Sequence, residues 1–146
     1  MARYTTTVIT ARRAEDVFAY LADLRHLTEW DPGVRSVTQV SGDGGGPDSA
    51  FDVTVAGIGR DLTLRYRTVR FEPDRALVVR AESKVLVSID RVTVVTQPEG
   101  CLVTYDAELT LRWPLCAAGP LLGPPFRRIG DRAAAGLRRV LDGTAP

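Results

Sequence analysis

Hydrophobic residues recur with two different periods along the chain, a helical period near both ends and a twofold period between them. In the C-terminal part the apolar positions repeat every three or four residues, with arginines on the opposite face. This spacing predicts an amphipathic helix over residues 124–141, about 27 Å long. Pro124 and Pro125 lack an amide hydrogen, so we expect them in its first turn or at a kink. The apolar stripe comprises Leu122, Phe126, Ile129, Ala133, Leu137, Val140 and Leu141.

A twofold alternation of apolar and polar residues, typical of strands, fills the region from residue 34 to residue 112. It predicts six strands, and a seventh strand precedes two helical pieces at residues 12–22 and 24–29. Short turns that contain glycine or proline join successive strands, which favours an antiparallel sheet with one solvated face. The predicted strands cover residues 4–10, 34–41, 50–56, 61–71, 76–82, 85–97 and 101–112.

The strand predicted at residues 85–97 has apolar residues on both faces, so its buried face stays open. Either Asp90 points inward together with Leu86 and Val92, or Arg91 points inward together with Ile89. A buried charge is costly unless it is paired. An inward charge would therefore mark a ligand contact or an internal ion pair.

Composition places the chain among ordinary globular proteins. Its 146 residues are 45% hydrophobic and 25% charged, which is typical of one domain, residues 1–146. No apolar run is long enough to span a membrane and no signal peptide is visible, so we expect a cytoplasmic protein. A net charge of +1 argues against a nucleic-acid partner. The oligomeric state stays unknown.

The residues that carry most enzyme chemistry are few. His26 is the single histidine, and no serine or cysteine is close to it in sequence. Cys101 and Cys116 show no metal or redox spacing, and a reduced pair is the expected state. The glycine run at residues 42–46 lacks the lysine of a phosphate-binding loop. We expect no cofactor, no metal and no catalytic residue of the common hydrolytic types.

Two stretches resemble a known superfamily. The sequence AEDVFAYLADL at 14–24, followed by EWDPGV at 29–34, resembles the opening of the START-like (SRPBCC) superfamily, and it is closest to the polyketide cyclase/dehydrase and lipid transport branch. The segment PEG at 98–100, leading into VTY at 103–105, is similar to the penultimate hairpin of that branch. Two departures are Cys101-Leu102, where the family more often has a Thr-Arg pair, and the prolines of the last helix.

The resemblance implies an α+β helix-grip fold. In that fold a seven-stranded curved antiparallel sheet wraps around a long C-terminal helix, and two small helices follow strand 1. A cavity for apolar molecules opens between the concave face and the helix. Gly130 and Gly136 would either let the helix pack closely or leave room for a ligand. The ligand-binding residues expected on this basis are Trp30, Phe51, Leu64, Tyr66, Leu77, Val79, Tyr105, Leu109, Phe126 and Ile129.

Three functions fit such a cavity, and whether the protein is an enzyme stays open. The first is binding of a small hydrophobic molecule, polyketide-like or lipid-like, without changing it. The second is a polyketide aromatase/cyclase that acts on a poly-ketone intermediate, with Tyr66, Tyr105 or an inward charge as acid or base. The third is a regulatory interaction module that uses the arginine face of the last helix. We rank binding first, because the expected lining is mostly apolar.

Overall fold

The computed structural model describes the backbone of residues 1–57 and 59–146, and the side chains of the same residues except 118–123. Seven antiparallel strands form one curved sheet in the order β1-β7-β6-β5-β4-β3-β2. This confirms the predicted helix-grip architecture. The strands are β1 Ala2–Thr10, β2 Val34–Ser41, β3 Ala50–Val55, β4 Leu62–Glu72, β5 Ala76–Glu82, β6 Leu86–Gln97 and β7 Gly100–Leu111. The helices are α1 Ala14–Ala22, α2 Leu27–Trp30 and α3 Gly119–Val140, with 3₁₀ turns at Leu24–His26 and Leu115–Ala118.

The structure decides the orientation of β6. Leu86, Ser88 and Val92 are buried on the inner face, and Asp90 shares that face because strand side chains alternate. Arg91 lies on the outer face, where its guanidinium is 3.3 Å from Glu108 Oε2. Of the two alternatives left open by the sequence, the one with an inward aspartate is therefore correct.

Helix α3 differs from its prediction in where it begins. It starts at Gly119, and Pro124 and Pro125 lie inside it instead of in its first turn. At 22 residues it is about 33 Å long. Among the described residues, no helix is both long and apolar enough to cross a membrane.

Burial along α3 is uneven. Ala134 and Leu137 are 3% and 0% exposed, and Leu141 just beyond the helix is 2% exposed. Ile129, by contrast, is 51% exposed. The side chain of Leu122 lies outside the described residues. Among the described side chains of α3, the buried ones therefore lie in its second half, and the helix contacts β1 and α2.

The two glycines of α3 mark close packing. A Cβ atom on Gly136 would lie 1.8 Å from the carbonyl oxygen of Trp30, and one on Gly130 would lie 2.4 Å from the ring of Tyr4. Real Cβ atoms do not approach other atoms so closely. The glycines thus allow α3 to contact α2 and β1, and close packing is the better of the two explanations offered by the sequence.

Candidate functional site

A cavity of about 290 Å³ lies between the inner face of the sheet and the part of α3 from Phe126 to Leu137. Alternation on β4, β6 and β7 points every second side chain into it, and small residues of α3 leave the space open. Most of its wall is apolar. The apolar part of the wall includes Trp30, Val55, Leu62, Leu64, Leu86, Ala107, Leu109, Phe126, Ile129, Ala133, Ala134 and Leu137.

The cavity opens to solvent at one end. Ile129 is 51% exposed there, and Phe126 is half-buried one turn before it. Gly33 and Gly57 also line the cavity, and a Cβ on Gly33 would lie 3.9 Å from Ile129 Cγ2.

Seven of the ten expected site residues line this cavity, and three do not. Phe51, Leu77 and Val79 face the same side of the sheet, but they are only 0–2% exposed and pack within the core. Phe71, which pairs with Leu77 across the sheet, contacts Phe18 of α1 at a ring distance of 5.4 Å. The inclusion of these three residues in the lining is therefore corrected. The seven that line it are Trp30, Leu64, Tyr66, Tyr105, Leu109, Phe126 and Ile129.

A hydrogen-bonded acid and phenol lie in the wall of the cavity. The Tyr105 hydroxyl donates to Asp90 Oδ2 at 2.7 Å. Trp30, which is 5% exposed, packs edge-on against the Tyr105 ring and holds it in place. Burial raises the pKa of Asp90 to about 6, the bond from Tyr105 opposes that rise, and the charge of Asp31 adds to it. Asp90 can thus gain or lose a proton near neutral pH.

A second pair of hydroxyl groups lies beside the first. The hydroxyls of Tyr66 and Ser88 are 2.7 Å apart and share one hydrogen bond. Burial and the nearby charge of Asp90 raise the pKa of Tyr66 well above its ordinary value, so it stays protonated. The pair holds two hydroxyl protons and its mutual bond uses one of them. The other is free to bond a ligand oxygen.

Asp31 contributes a second carboxyl group to the wall. Its Oδ1 accepts a hydrogen bond of 2.9 Å from the Gly33 amide. Burial raises the pKa of Asp31, and the Gly33 amide partly opposes that rise. The sequence analysis did not identify this residue as part of the site, because it lies in a turn where hydrophobic periodicity carries no information.

Tyr4, Thr6 and Ser88 also line the cavity and were not expected. Tyr4 packs against Gly130, and its hydroxyl donates to Asp131 Oδ1 at 2.7 Å. Burial and that bond raise the pKa of Tyr4 to about 12. Its twofold spacing with Thr6 on β1 is the sequence signal that could have placed both residues in the wall.

The residues considered for other chemistry lie outside the cavity. His26 stacks on Tyr20 at 4.3 Å, and its Nδ1 is 2.7 Å from the Tyr20 carbonyl oxygen. Cys101 is buried and Cys116 is exposed. None of these residues contributes to the cavity wall.

Part of the arginine face of α3 is used within the protein. Arg138 donates to Thr6 Oγ1 at 3.3 Å, and Arg139 donates to the carbonyl oxygen of Glu29 at 2.9 Å. Through these hydrogen bonds the two arginines connect α3 to β1 and α2. The other arginines of this face, Arg127, Arg128 and Arg132, are exposed along the helix.

Comparisons with known proteins agree with this geometry. The family model described as "Polyketide cyclase / dehydrase and lipid transport" matches residues 1–142. Among curated proteins, no sequence matches this chain. A START superfamily protein from Mycobacterium smegmatis superposes with a TM-score of 0.76 at 15% identity, covering 96% of this chain and 97% of that one.

Two similar structures carry the name aromatase/cyclase. The Zhui aromatase/cyclase from Streptomyces has a TM-score of 0.71 at 16% identity, covering 94% of this chain and 93% of that one. The di-domain StfQ from the steffimycin biosynthetic pathway has a TM-score of 0.69 at 19% identity, covering 95% of this chain. This chain spans 48% of the length of StfQ. At such identities the likeness concerns the fold alone.

Proposed function

Because the family model matches nearly all of its residues, the protein belongs to the polyketide cyclase/dehydrase and lipid transport family, and we propose that it binds a small, largely hydrophobic molecule in this cavity. The main support is an open, mostly apolar cavity of about 290 Å³ in a protein whose core is otherwise close-packed. A dry apolar cavity of about 150 Å³ holds benzene in another protein. This one has room for a molecule of roughly two fused rings.

The free energy of binding comes from apolar area removed from water, and the polar groups of the wall orient the ligand. The unused hydroxyl proton of the Tyr66–Ser88 pair can bond a ligand oxygen. Asp90 and Asp31 can accept from a ligand donor. A bound molecule therefore carries an apolar body and a polar head that reaches the inner face of the sheet.

The test of binding is to fill the cavity from the helix side. Ala133 lines the cavity, whereas Ala135, two residues later on the same helix, is exposed. We expect Ala133→Phe to weaken binding of a naphthalene-based fluorescent probe by about tenfold or more, because the new ring occupies the probe's volume. Ala135→Phe adds the same ring outside the cavity and leaves affinity unchanged.

Folding of both variants is checked by circular dichroism and thermal unfolding. If Ala133→Phe does not fold, Ala107→Leu fills the same cavity from β7. Probe affinity equal to that of the unmodified protein in a folded, cavity-filled variant contradicts binding in this cavity.

A second candidate is a cyclase or dehydrase, favoured by the Asp90–Tyr105 pair in the wall. With a pKa of about 6, Asp90 can remove a proton from the carbon between two carbonyls of a poly-ketone chain. The hydroxyl proton of Tyr66 or Ser88 can bond the enolate oxygen. Where the next carbon of the chain carries a hydroxyl group, Asp90 returns the proton to that oxygen, the C–O bond breaks, water leaves, and a carbon–carbon double bond forms to the deprotonated carbon.

This second function makes a separate prediction. Incubation of the protein with a reactive poly-ketone should change the product distribution, and Asp90→Asn should abolish that change by removing the base. Tyr66→Phe, which keeps the ring, should reduce it less. Identical products with and without the protein would leave binding as the remaining function.

A further inference from the structure

The charged groups in the cavity wall are all acidic. Asp31 and Asp90 belong to the wall, and no arginine, lysine or histidine does among the residues whose side chains are described. Residue 58 and residues 118–123 include no charged amino acid either. A ligand in this cavity thus meets two carboxyl groups and no cation of the protein.

In each carboxyl group, one of the two oxygens accepts no hydrogen bond from the described part of the chain. Asp90 Oδ2 accepts from Tyr105 and Asp31 Oδ1 accepts from Gly33, which leaves Oδ1 of Asp90 and Oδ2 of Asp31. Neither free oxygen is sealed inside the protein, because neither is among the fully buried polar atoms that lack a partner. These oxygens can therefore accept hydrogen bonds from a ligand.

The two carboxylates that are buried elsewhere in the molecule, Asp23 and Asp106, are paired with arginine. Asp23 Oδ2 is 2.6 Å from Arg25, and Asp106 Oδ1 is 2.9 Å from Arg3. The Arg25 guanidinium lowers the pKa of Asp23, whereas burial raises the pKa of Asp90 to about 6. Above that pH the cavity holds an ionised carboxylate that lacks a cation.

The groups that face Asp90 from each neighbouring element are uncharged or acidic. Tyr105 faces it from β7, Tyr66 from β4 and Asp31 from the turn after α2, while Asp106 acts through the sheet from its outer side. On α3, the wall consists of glycine, alanine and larger apolar residues. A cation supplied by the ligand would relieve the repulsion between the two aspartates.

We propose that the cavity selects an apolar molecule that carries a basic amine, and that it rejects molecules of the same size whose head is a carboxylate. The inference rests on the proposed binding function and names its ligand class. The ammonium group donates to the free oxygens of Asp90 and Asp31, and the apolar body fills the space below α3. A carboxylate head would add a third acid to a wall without cations.

Three probes with one ring system and different heads separate this inference from the proposed function. Naphthylethylamine, naphthylethanol and naphthylacetate are titrated into the protein by calorimetry at about pH 8 and about pH 5, on either side of the Asp90 pKa. At the higher pH we expect the amine to bind about tenfold more tightly than the alcohol, and the acetate most weakly. At the lower pH the preference for the amine shrinks, because Asp90 becomes protonated.

Two isosteric variants assign the effect to the cavity. Asp90→Asn keeps an acceptor for Tyr105 but removes the charge, so amine affinity should fall about tenfold while alcohol affinity changes little. Asp74→Asn makes the same change in net charge at an exposed turn and should alter neither affinity. Its left-handed backbone conformation, with φ of 63°, suits asparagine equally well.

The outcomes that overturn the inference are distinct. Equal affinity for amine and alcohol at about pH 8, or tighter binding of the acetate, overturns it and leaves the binding function intact. Loss of amine preference in both variants alike shows a general charge effect and also overturns it. If none of the three probes binds, the binding function itself fails. A naphthyl ketone that binds more tightly than the amine at the lower pH shows that Asp90 acts as a donor, which contradicts the inference.

Discussion

The inner face of the one sheet has a solid region and a hollow region. In the solid region Phe51, Leu77 and Val79 are almost completely buried. In the hollow region Leu109 and Tyr105, on a strand of the same sheet, keep exposed surface that borders the cavity. The difference lies in what covers the sheet. Helix α1 packs beside Leu77, where its Phe18 contacts Phe71, whereas α3 spans the hollow region from Phe126 to Leu137 without filling it.

This comparison shows that one alternating pattern serves two purposes. Inward apolar residues stabilise the fold where a helix packs on them, and they form a binding surface where it does not. The hollow region also carries the inward polar groups Tyr66, Ser88 and Asp90. Polar residues are tolerated on the inner face there, because the cavity leaves them room for partners other than protein atoms.

The largest expected effect comes from truncating one leucine in each region. Leu77→Ala should lower the free energy of unfolding by about 4 kcal/mol, because it opens a new void in a close-packed core. Leu109→Ala should lower it by about 1 kcal/mol, because that side chain already borders a cavity and is only partly buried. Urea unfolding of both variants measures the difference.

Ligand binding sharpens the same test. Leu109→Ala should change the affinity of the naphthalene-based probe, and Leu77→Ala should not as long as the protein stays folded. Equal losses of stability in the two variants would mean that the two regions are packed alike, and the comparison would fail.

The sequence predicted well which residues lie on the inner face of the sheet, but it predicted poorly which elements pack on that face. Alternation with Leu64 and Leu109 placed Tyr66 and Tyr105 on the inner face, which is where they lie. The same reasoning put Leu77 in the cavity. Alternation along a strand tells which face of the sheet a residue is on, but it does not tell which element packs on that face. Phe18 of α1 contacts Phe71, the partner of Leu77 across the sheet, and it is far from Leu77 in sequence. Only the three-dimensional arrangement separates solid from hollow.

A second contrast concerns two aspartates on opposite faces of the sheet, Asp90 on β6 and Asp106 on the neighbouring β7. Asp90 has a pKa raised from its ordinary 3.8 to about 6, and this rise corresponds to about 3 kcal/mol. Ionised Asp90 therefore destabilises the folded state above pH 6. Asp106 has a lowered pKa, since the bonds from Arg3 and Thr5 outweigh the opposing effect of burial. Ionised Asp106 stabilises the folded state.

The two isosteric variants should therefore change stability in opposite directions. At neutral pH, Asp90→Asn should raise the free energy of unfolding by up to about 3 kcal/mol, and Asp106→Asn should lower it by about 1 kcal/mol. The Asp90→Asn difference should grow as the pH rises from about 4 to about 6 and then level off. The Asp106→Asn difference should vanish as the pH falls below about 4. Denaturation at a series of pH values measures both. A loss of stability in both variants would contradict the prediction for Asp90.

The smallest expected changes in stability come from substituting the two glycines of α3. An added Cβ at Gly136 would meet the backbone carbonyl of Trp30 at 1.8 Å, and this carbonyl belongs to the backbone of α2, which cannot rotate aside as a side chain can. At Gly130 it would meet the Tyr4 ring at 2.4 Å, but that ring borders the cavity and its hydroxyl bonds an exposed carboxylate. The ring can therefore shift into the hollow region.

Gly136→Ala should thus lower the free energy of unfolding by about 2 kcal/mol, even though alanine favours a helix over glycine by up to about 1 kcal/mol. Gly130→Ala should change it by less than about 1 kcal/mol, because the helix preference offsets the movement of one ring. Gly130→Ala should, however, weaken binding of the naphthalene-based probe, because the displaced Tyr4 ring takes up part of the cavity. Thermal unfolding and probe titration of the two variants make the comparison. If Gly130→Ala destabilised the protein as much as Gly136→Ala while leaving probe affinity intact, the Tyr4 side of α3 would belong to the solid region, and the hollow region would end before Gly130.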